Sequence, residues 1–115
     1  MNECQNIDMH DAHKRLTAGE FAVADIRDPQ TFQQGHIADA VNINNDNLGD
    51  FINDNAGKAV LVVCYHGVSS QRAAQYMLEQ GVAEAFSLSG GMKAWAEAYG
   101  EKLVVVANDD ADPKA

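Results

Sequence analysis

The feature that most constrains the fold is an unbroken apolar run in the middle of the chain, residues 59–64 (AVLVVC). Its β-branched residues favour a β-strand, and the lack of polar alternation favours a strand that is buried on both faces. Strands of this kind occur in parallel sheets covered by helices, and apolar runs alternate with helical patterns along the rest of the chain. The sequence therefore predicts an α/β fold built on a parallel sheet.

The strands and helices can be placed from the apolar runs and from capping and turn residues. Strands are expected at residues 3–7, 21–26, 40–43, 59–65 and 84–88. Helices are expected to begin at capping residues or proline and to end near glycine, at 8–19, from Pro29 onward, at 46–54, at 69–80 and at 92–99. Residues 102–107 (KLVVVA) fit either a short edge strand or an apolar strip over the core, and this choice stays open.

Length and charge limit the organisation of the chain and its partners. The 115 residues fit one domain, expected at 1–107, and the charged residues 108–115 predict a disordered acidic tail. A formal net charge of −9 argues against binding to nucleic acids or to anionic membranes, which attract basic surfaces. No apolar run approaches the length of a membrane span, and the polar N-terminus does not resemble a secretory signal. We therefore expect a cytoplasmic protein in which Cys4 and Cys64 are free thiols.

The end of the predicted central strand is the best candidate for a reactive site. Ligands of open parallel sheets bind beyond the carboxyl ends of the strands, where Cys64 is followed by a short loop and a helix. Gly67 allows successive backbone N–H groups to turn toward one point, and the helix adds its free N–H groups and the hydroxyls of Ser69 and Ser70. Because such donors stabilise a thiolate, the pKa of Cys64 is expected below about 8.5.

Two interpretations of Cys64 follow from this local pattern. A thiolate among N–H donors can attack an electrophilic sulfur atom and become a persulfide, whose charge the same donors hold. A cysteine at a strand end is also often a buried structural residue. The residues next to Cys64 do not decide between the two.

Three blocks of the sequence, taken together, are similar to one known family. They are residues 23–29 (VADIRDP) with Phe32, 35–37 (GHI) and 40–43 (AVNI); residues 64–70 (CYHGVSS) with 73–76 (AAQY); and residues 90–95 (GGMKAW). With these blocks in order over nearly the whole domain, the chain resembles the rhodanese family of thiosulfate sulfurtransferases. Within that family it is most similar to the small single-domain bacterial members of the GlpE type.

The resemblance implies a rhodanese-like α/β fold, with a five-stranded parallel sheet flanked by helices on both faces and a catalytic persulfide on Cys64. It implies that thiosulfate donates its outer sulfur atom, and that cyanide or a dithiol such as thioredoxin accepts it in a ping-pong cycle. We expect no metal and no cofactor. By this resemblance the substrate-binding loop consists of Tyr65, His66, Gly67, Val68, Ser69 and Ser70. Structural support is expected from Asp25, Arg27 and His36.

Two other functions are known on similar folds. Related phosphatases and arsenate reductases place an arginine at the position of Ser70, whereas the nearest arginine here, Arg72, comes two positions later, so we disfavour that activity. A rhodanese domain can also relay sulfur from the persulfide of a partner protein. Many larger rhodaneses carry basic residues in the loop, and this loop instead has Tyr65, His66 and Val68. The sulfur donor, thiosulfate or a protein persulfide, therefore stays open.

Overall fold

The computed structural model describes residues 3–99 and 104–105. Its strands are β1 Gln5–Ile7, β2 Ala22–Asp25, β3 His36–Ile37, β4 Val41–Asn42, β5 Ala59–Val63, β6 Glu84–Leu88 and β7 Val104–Val105. Its helices are α1 Met9–Thr17, α2 Pro29–Gln34, α3 Leu48–Asp54, α4 Ser69–Glu79 and α5 Gly91–Tyr99. None of these helices, in the part of the chain that is described, combines the length and the apolar character needed to cross a membrane.

Five of the strands form one parallel sheet in the order β1-β6-β5-β2-β4. Strand β5 lies at its centre, where Leu61 is paired with Val23 of β2 and with Phe86 of β6. Residues 60–63 are fully buried, as expected of a strand that is covered on both faces. The predicted five-stranded parallel sheet is confirmed.

Alternate residues of β5 build a separate hydrophobic core on each face of the sheet. One core contains Leu61 and Val63 with apolar side chains of α1 and α5. The other contains Val60 and Val62 with apolar side chains of α3 and α4. The period of two along a strand directs these side chains to opposite faces, and burial of their apolar surface holds the helices in place. The prediction that helices flank both faces is confirmed.

The first two helices begin at the capping residues that the sequence indicates. Asp8 precedes α1 and its carboxylate accepts a hydrogen bond from the backbone N–H of Asp11. Asp28 does the same for α2 through the N–H of Thr31, and Pro29 occupies the first position of that helix. Aspartate is favoured at such positions because it satisfies N–H groups that have no partner within the helix.

Helix α3 begins two residues later than predicted, at Leu48 rather than at Asp46. Oδ1 of Asn44 accepts hydrogen bonds from the backbone N–H groups of Asp46 (2.8 Å) and Asn47 (2.9 Å). Oδ1 of Asn47 in turn accepts a bond from the N–H of Asn44 (2.7 Å). These side-chain bonds close a turn that competes with the helix, so the helix starts only after it.

A second, two-stranded antiparallel sheet is an addition to the predicted fold. Val104–Val105 pair in antiparallel fashion with His36–Ile37, the short strand between α2 and β4. Two interpretations were left open for residues 102–107, and Val104–Val105 follow the first of them, a short strand. This strand pairs with β3 and does not join the parallel sheet. The rest of that segment and the predicted tail at 108–115 lie outside the described residues.

Candidate active site

The loop after β5 places Cys64 at the carboxyl edge of the parallel sheet. Strand β5 ends at Val63, two residues earlier than the predicted end at residue 65. The chain leaves the sheet there because the carbonyl oxygen of Cys64 accepts a hydrogen bond from the N–H of Met92 (2.8 Å), near the start of α5. Cys64 is 6% exposed, so its side chain lies just inside the protein surface.

Hydrogen-bond donors converge on the sulfur atom, Sγ of Cys64. The backbone N–H of Gly67 lies 3.1 Å from it, and the backbone N–H of Ser70, in the first turn of α4, lies 3.3 Å from it. Oγ of Ser70 lies 3.2 Å from the same atom. A thiolate in this position accepts bonds from all of these groups and faces the positive end of the α4 dipole.

Two opposing influences act on the pKa of Cys64. Burial of the side chain raises the pKa, because it disfavours the charged thiolate. Hydrogen bonds from the hydroxyl and N–H of Ser70, and from the N–H groups of Gly67 and Val68, lower it by more. The pKa of Cys64 is therefore below the usual value for a thiol, which increases the fraction of reactive thiolate near neutral pH.

Glycines allow this loop to approach the start of α5 closely. Gly67 has a φ of 88°, and a Cβ atom there would lie 2.8 Å from the nitrogen of Gly90. At Gly91, with a φ of 65°, the carbonyl of Tyr65 occupies the space that a Cβ would need. The N–H of Lys93 donates to that same carbonyl oxygen (2.9 Å). Because α5 binds the loop carbonyls, the N–H groups that follow are turned toward the sulfur atom.

The six loop residues that the sequence assigned to substrate binding contribute backbone N–H groups, exposed side chains, or both; Ser69 is exposed at the start of α4. Gly67, Val68 and Ser70 direct backbone N–H groups at the sulfur atom. The side chains of Tyr65 and Val68 point outward, with 49% and 71% of each residue exposed. The exposed ring of His66 packs edge-on against Tyr65, with the ring centroids 4.5 Å apart. The contacts of His66 therefore place it on the rim of the site rather than at the sulfur atom.

A buried serine of β6 joins the site, although the sequence did not single it out. Oγ of Ser87 lies 2.7 Å from Oγ of Ser70, and both residues are fully buried. In the register of the sheet Ser87 is the partner of Val62, two residues before Cys64. The feature of the sequence that could have indicated Ser87 is a single hydroxyl residue within the apolar run 85–88 (AFSL). This run forms the strand next to the one that leads to the thiol.

Asp25 and Arg27 form a buried ion pair where β2 ends. The guanidinium contacts both carboxylate oxygens, with 2.9 Å from Nε to Oδ1 and 2.6 Å from Nη2 to Oδ2. The side chains of Asp25 and Arg27 are 0% and 8% exposed. Nη2 of Arg27 also donates to the carbonyl of Gly35 (2.9 Å), and the amide of Asn42 donates to the carbonyls of both charged residues. The pair thus ties β2 to the end of α2 and to β4.

His36 lies in β3 and contacts the end of α2 rather than the thiol. Its Nδ1 lies 2.8 Å from the carbonyl oxygen of Phe32, and its ring stacks on the Phe32 ring with the centroids 3.8 Å apart. His36 is buried and does not line the cavity in front of Cys64. Its contacts hold the turn after α2 in place.

A cavity of about 440 Å³ opens in front of the thiol and is lined by Ile26, Arg27, Asp28, Thr31, Cys64, Tyr65 and Ser69. Hydrogen bonds from the hydroxyl and the N–H of Thr31 lower the pKa of Asp28, so this carboxylate is negatively charged near neutral pH. The charge of Arg27 is already compensated by Asp25. Among the described residues that line the cavity, the uncompensated charge is therefore negative.

The position that an arginine occupies in cysteine phosphatases is taken here by a buried residue, Ser70. Its hydroxyl is bonded within the protein to Cys64 and Ser87. Arg72 is exposed and lines a neighbouring groove of about 590 Å³, beside Tyr76, rather than the cavity of the thiol. Among the described residues, therefore, no arginine occupies the loop position from which a phosphate would be gripped bidentately, and Arg27 on the cavity wall is already paired with Asp25.

The second cysteine does not join the first. Both are free thiols, and Sγ of Cys4 donates to the backbone carbonyl of Gln71 on α4 (3.4 Å). Cys4 does not line the cavity in front of Cys64. Within residues 3–99 and 104–105, no group of three or more His, Cys, Asp or Glu side chains is arranged to hold a metal ion.

Comparisons with known proteins agree with this fold. The family model of the rhodanese-like domain matches residues 8–98. A rhodanese-related protein from Thermoplasma volcanium is 25% identical, with a TM-score of 0.73 over 89% of this chain and 98% of that chain. A rhodanese-like domain protein from Staphylococcus aureus is 24% identical, with a TM-score of 0.74 over 90% of this chain and 99% of that chain. A yeast protein tyrosine phosphatase of the rhodanese family shares the fold at 16% identity, with a TM-score of 0.73 over 96% of this chain and 97% of that chain.

Proposed function

Because the chain belongs to the rhodanese family, we propose that it is a sulfurtransferase that carries a sulfane sulfur atom on Cys64. The observation that best supports this proposal is the convergence of the N–H groups of Gly67 and Ser70, and of the Ser70 hydroxyl, on one sulfur atom. Attack on sulfur requires a thiolate, and the persulfide that results carries a charge that the same donors can hold. A reducing compartment such as the cytoplasm keeps this thiol free for the reaction.

The proposed first half-reaction loads the enzyme from thiosulfate. The thiolate of Cys64 attacks the outer sulfur atom of thiosulfate and forms a new S–S bond. The S–S bond of thiosulfate breaks, and sulfite leaves with the bonding electron pair. Cys64 is left as a persulfide anion, whose charge lies where the N–H groups of the loop point.

The proposed second half-reaction returns the thiolate. Cyanide attacks the terminal sulfur atom of the persulfide, the S–S bond breaks, and thiocyanate leaves. A reduced dithiol such as thioredoxin replaces cyanide by taking the sulfur atom as a persulfide of its own. Its second thiol then displaces hydrosulfide and forms a disulfide, so that the dithiol is oxidised and the sulfur atom is reduced.

A relay of sulfur between proteins is a second candidate function, and the charge at the mouth of the site supports it. The carboxylate of Asp28 lines the cavity, and a dianion such as thiosulfate is repelled by it. The exposed side chains of Tyr65 and Val68 offer apolar surface beside the thiol. A partner protein that presents a persulfide on a cysteine can bury this apolar surface in a protein–protein contact, whereas a small anion cannot.

Phosphatase activity is not part of the proposal, although the yeast structural relative is a protein tyrosine phosphatase. Such chemistry needs a cation that grips the phosphate oxygens, and Ser70 fills the required position with a buried hydroxyl. We expect no hydrolysis of p-nitrophenyl phosphate above the rate of the Cys64→Ser variant.

Thiocyanate production from thiosulfate and cyanide tests the main proposal. The wild-type protein is expected to turn over with parallel double-reciprocal plots, because sulfite leaves before cyanide reacts. Cys64→Ser is expected to abolish turnover. Cys4→Ser, the matched control, should retain it because a hydroxyl can still donate to the carbonyl of Gln71. A folded wild-type protein that accepts sulfur only from a protein persulfide would favour the relay instead.

A further inference from the structure

A chain of buried hydroxyl groups leads from β6 to the reactive sulfur atom. Oγ of Ser87 lies 2.7 Å from Oγ of Ser70, which lies 3.2 Å from Sγ of Cys64. Ser70 and Ser87 are both 0% exposed, so water does not supply alternative partners from the surface. The direction of the hydrogen bonds along this chain therefore depends on the protonation of Cys64.

The two directions are not equally favourable. When Cys64 is a thiolate, Ser70 donates to Sγ and Ser87 donates to Oγ of Ser70, so that each hydroxyl proton is used. When Cys64 is a thiol that donates to Ser70, the Ser70 proton turns to Ser87. The only hydrogen-bond partner of the Ser87 hydroxyl among the described residues is Ser70, so in this state its own proton has no acceptor. A buried hydroxyl without an acceptor is unfavourable, and the thiolate state is preferred.

We propose that Ser87 is a positioning residue for the thiolate: its hydroxyl donates to Oγ of Ser70 and keeps the Ser70 hydroxyl directed at Sγ of Cys64. A donor that itself accepts a hydrogen bond is polarised and binds an anion more strongly. Ser87 does not line the cavity and contacts no reacting atom, so it acts only through Ser70. This role of Ser87 depends on the proposed function in one respect, namely that the thiolate of Cys64 is the nucleophile.

The rate of Cys64 alkylation by iodoacetamide, measured against pH, tests this role without any sulfur donor. The experiment uses the full chain with Cys4→Ser, so that Cys64 is the one cysteine left. Ser87→Ala is expected to raise the apparent pKa of Cys64 by about half a unit to one unit, the size of one hydrogen bond. Ser70→Ala is expected to raise it further, because it removes the direct hydroxyl contact.

A double-mutant cycle distinguishes a hydrogen-bond chain, in which Ser87 acts through Ser70, from two independent effects on the pKa of Cys64. If Ser87 acts through Ser70, the double variant should have the same pKa as Ser70→Ala alone. All variants keep the other ionisable groups of the cavity wall and the loop, so these groups do not account for a difference in the pKa of Cys64 between variants. They are Arg27, Asp28, Tyr65 and His66.

Two further variants serve as controls. Ser89→Ala changes an exposed serine just past the end of β6 and should leave the pKa of Cys64 unchanged. Ser87→Thr keeps a hydroxyl at the same position and should retain the wild-type pKa. An unshifted pKa in folded Ser87→Ala, or shifts that simply add in the double variant, would overturn the proposal. A failure of sulfur transfer with shifted pKa values would instead count against the proposed function alone.

Discussion

The backbone N–H of Lys93 donates a 2.9 Å hydrogen bond to the carbonyl oxygen of Tyr65. A parallel bond of 2.8 Å runs from Met92 to the carbonyl of Cys64, so the first turn of α5 supports the loop that carries the thiol. With these carbonyls directed toward α5, the following N–H groups face the sulfur atom. The site is thus formed by β5, α4 and α5 together, and each element contributes a different part of the geometry.

Gly91→Ala is predicted to damage this support. The new Cβ would collide with the carbonyl of Tyr65, and the φ of 65° is unfavourable for alanine. We expect turnover to fall by about tenfold or more and the free energy of unfolding to fall by about 2 kcal/mol, as measured by thiocyanate production and urea unfolding.

Gly19→Ala is the matched control for Gly91→Ala. Gly19 has a similar φ of 76°, but no atom lies within 4 Å of the position of its Cβ. It is expected to lose about 1 kcal/mol of stability from backbone strain alone and to retain its activity. Equal losses of activity in the two variants would contradict the supporting role of α5.

Asp25→Asn is predicted to destabilise the fold by about 3 kcal/mol, because it leaves the buried guanidinium of Arg27 without its counter-charge. Urea unfolding measures this loss. Glu97→Gln breaks the exposed pair of Lys93 and Glu97, whose side chains are 47% and 66% accessible, and should hardly move the unfolding midpoint. Similar midpoints for the two variants would show that the buried pair does not brace the end of β2.

Asp28→Asn is predicted to increase kcat/KM for thiosulfate by about twofold to threefold, because it removes a negative charge from the cavity wall. Asparagine can still cap α2 through Thr31, so the helix is expected to remain in place. Asp8→Asn changes the equivalent cap of α1, which does not line this cavity, and should leave kcat/KM unchanged. A decrease for Asp28→Asn would mean that the carboxylate assists the reaction.

The same aspartate gives a pH dependence of stability. Hydrogen bonds from Thr31 lower the pKa of Asp28 below 3.8 in the folded protein. Its capping contribution is therefore fully present above the unfolded pKa and is lost as the pH falls through the folded pKa. The stability difference between the wild type and Asp28→Asn, measured by urea unfolding, should shrink only below about pH 4. A difference that already shrinks near neutral pH would contradict this assignment.

Cys64 is predicted to make stability depend on pH in the alkaline range. The folded pKa of this thiol lies below the usual value for a cysteine, so the folded state binds fewer protons than the unfolded state between the two pKa values. Its contribution to stability is fully present above the unfolded pKa and is lost as the pH falls through the folded pKa. The stability advantage of the wild type over Cys64→Ser should therefore increase with pH up to about 9, as measured by urea unfolding. An advantage that decreases over this range would contradict the lowered pKa.

The sheet was predictable because its signals are local. The run at 59–64 predicted a central buried strand, and β5 is that strand. The caps Asp8 and Asp28 predicted the starts of α1 and α2, since a cap acts within a few residues of itself. The helix α3 was misplaced because the hydrogen bonds of Asn44 close a turn first, and asparagine is compatible with either structure.

The features that were missed depend on contacts between distant residues. Ser87 is one hydroxyl within an apolar strand, and its proximity to Ser70 arises only when β6 lies beside β5. The two-residue strands His36–Ile37 and Val104–Val105 are too short for a periodic pattern and are recognised only as a pair. The bidentate contact of Arg27 with Asp25 likewise requires the side-chain geometry, and the sequence predicted no more than structural support from these two residues. The similarity to the GlpE type in particular stays a prediction.

The intact mass of the reduced protein after incubation with thiosulfate shows most directly whether Cys64 accepts a sulfur atom. We expect a gain of one sulfur atom that maps to Cys64, is lost on addition of cyanide, and is absent from Cys64→Ser. A folded wild-type protein whose mass does not change, or one whose added sulfur maps to Cys4, would contradict the claim that Cys64 takes the sulfur atom of thiosulfate.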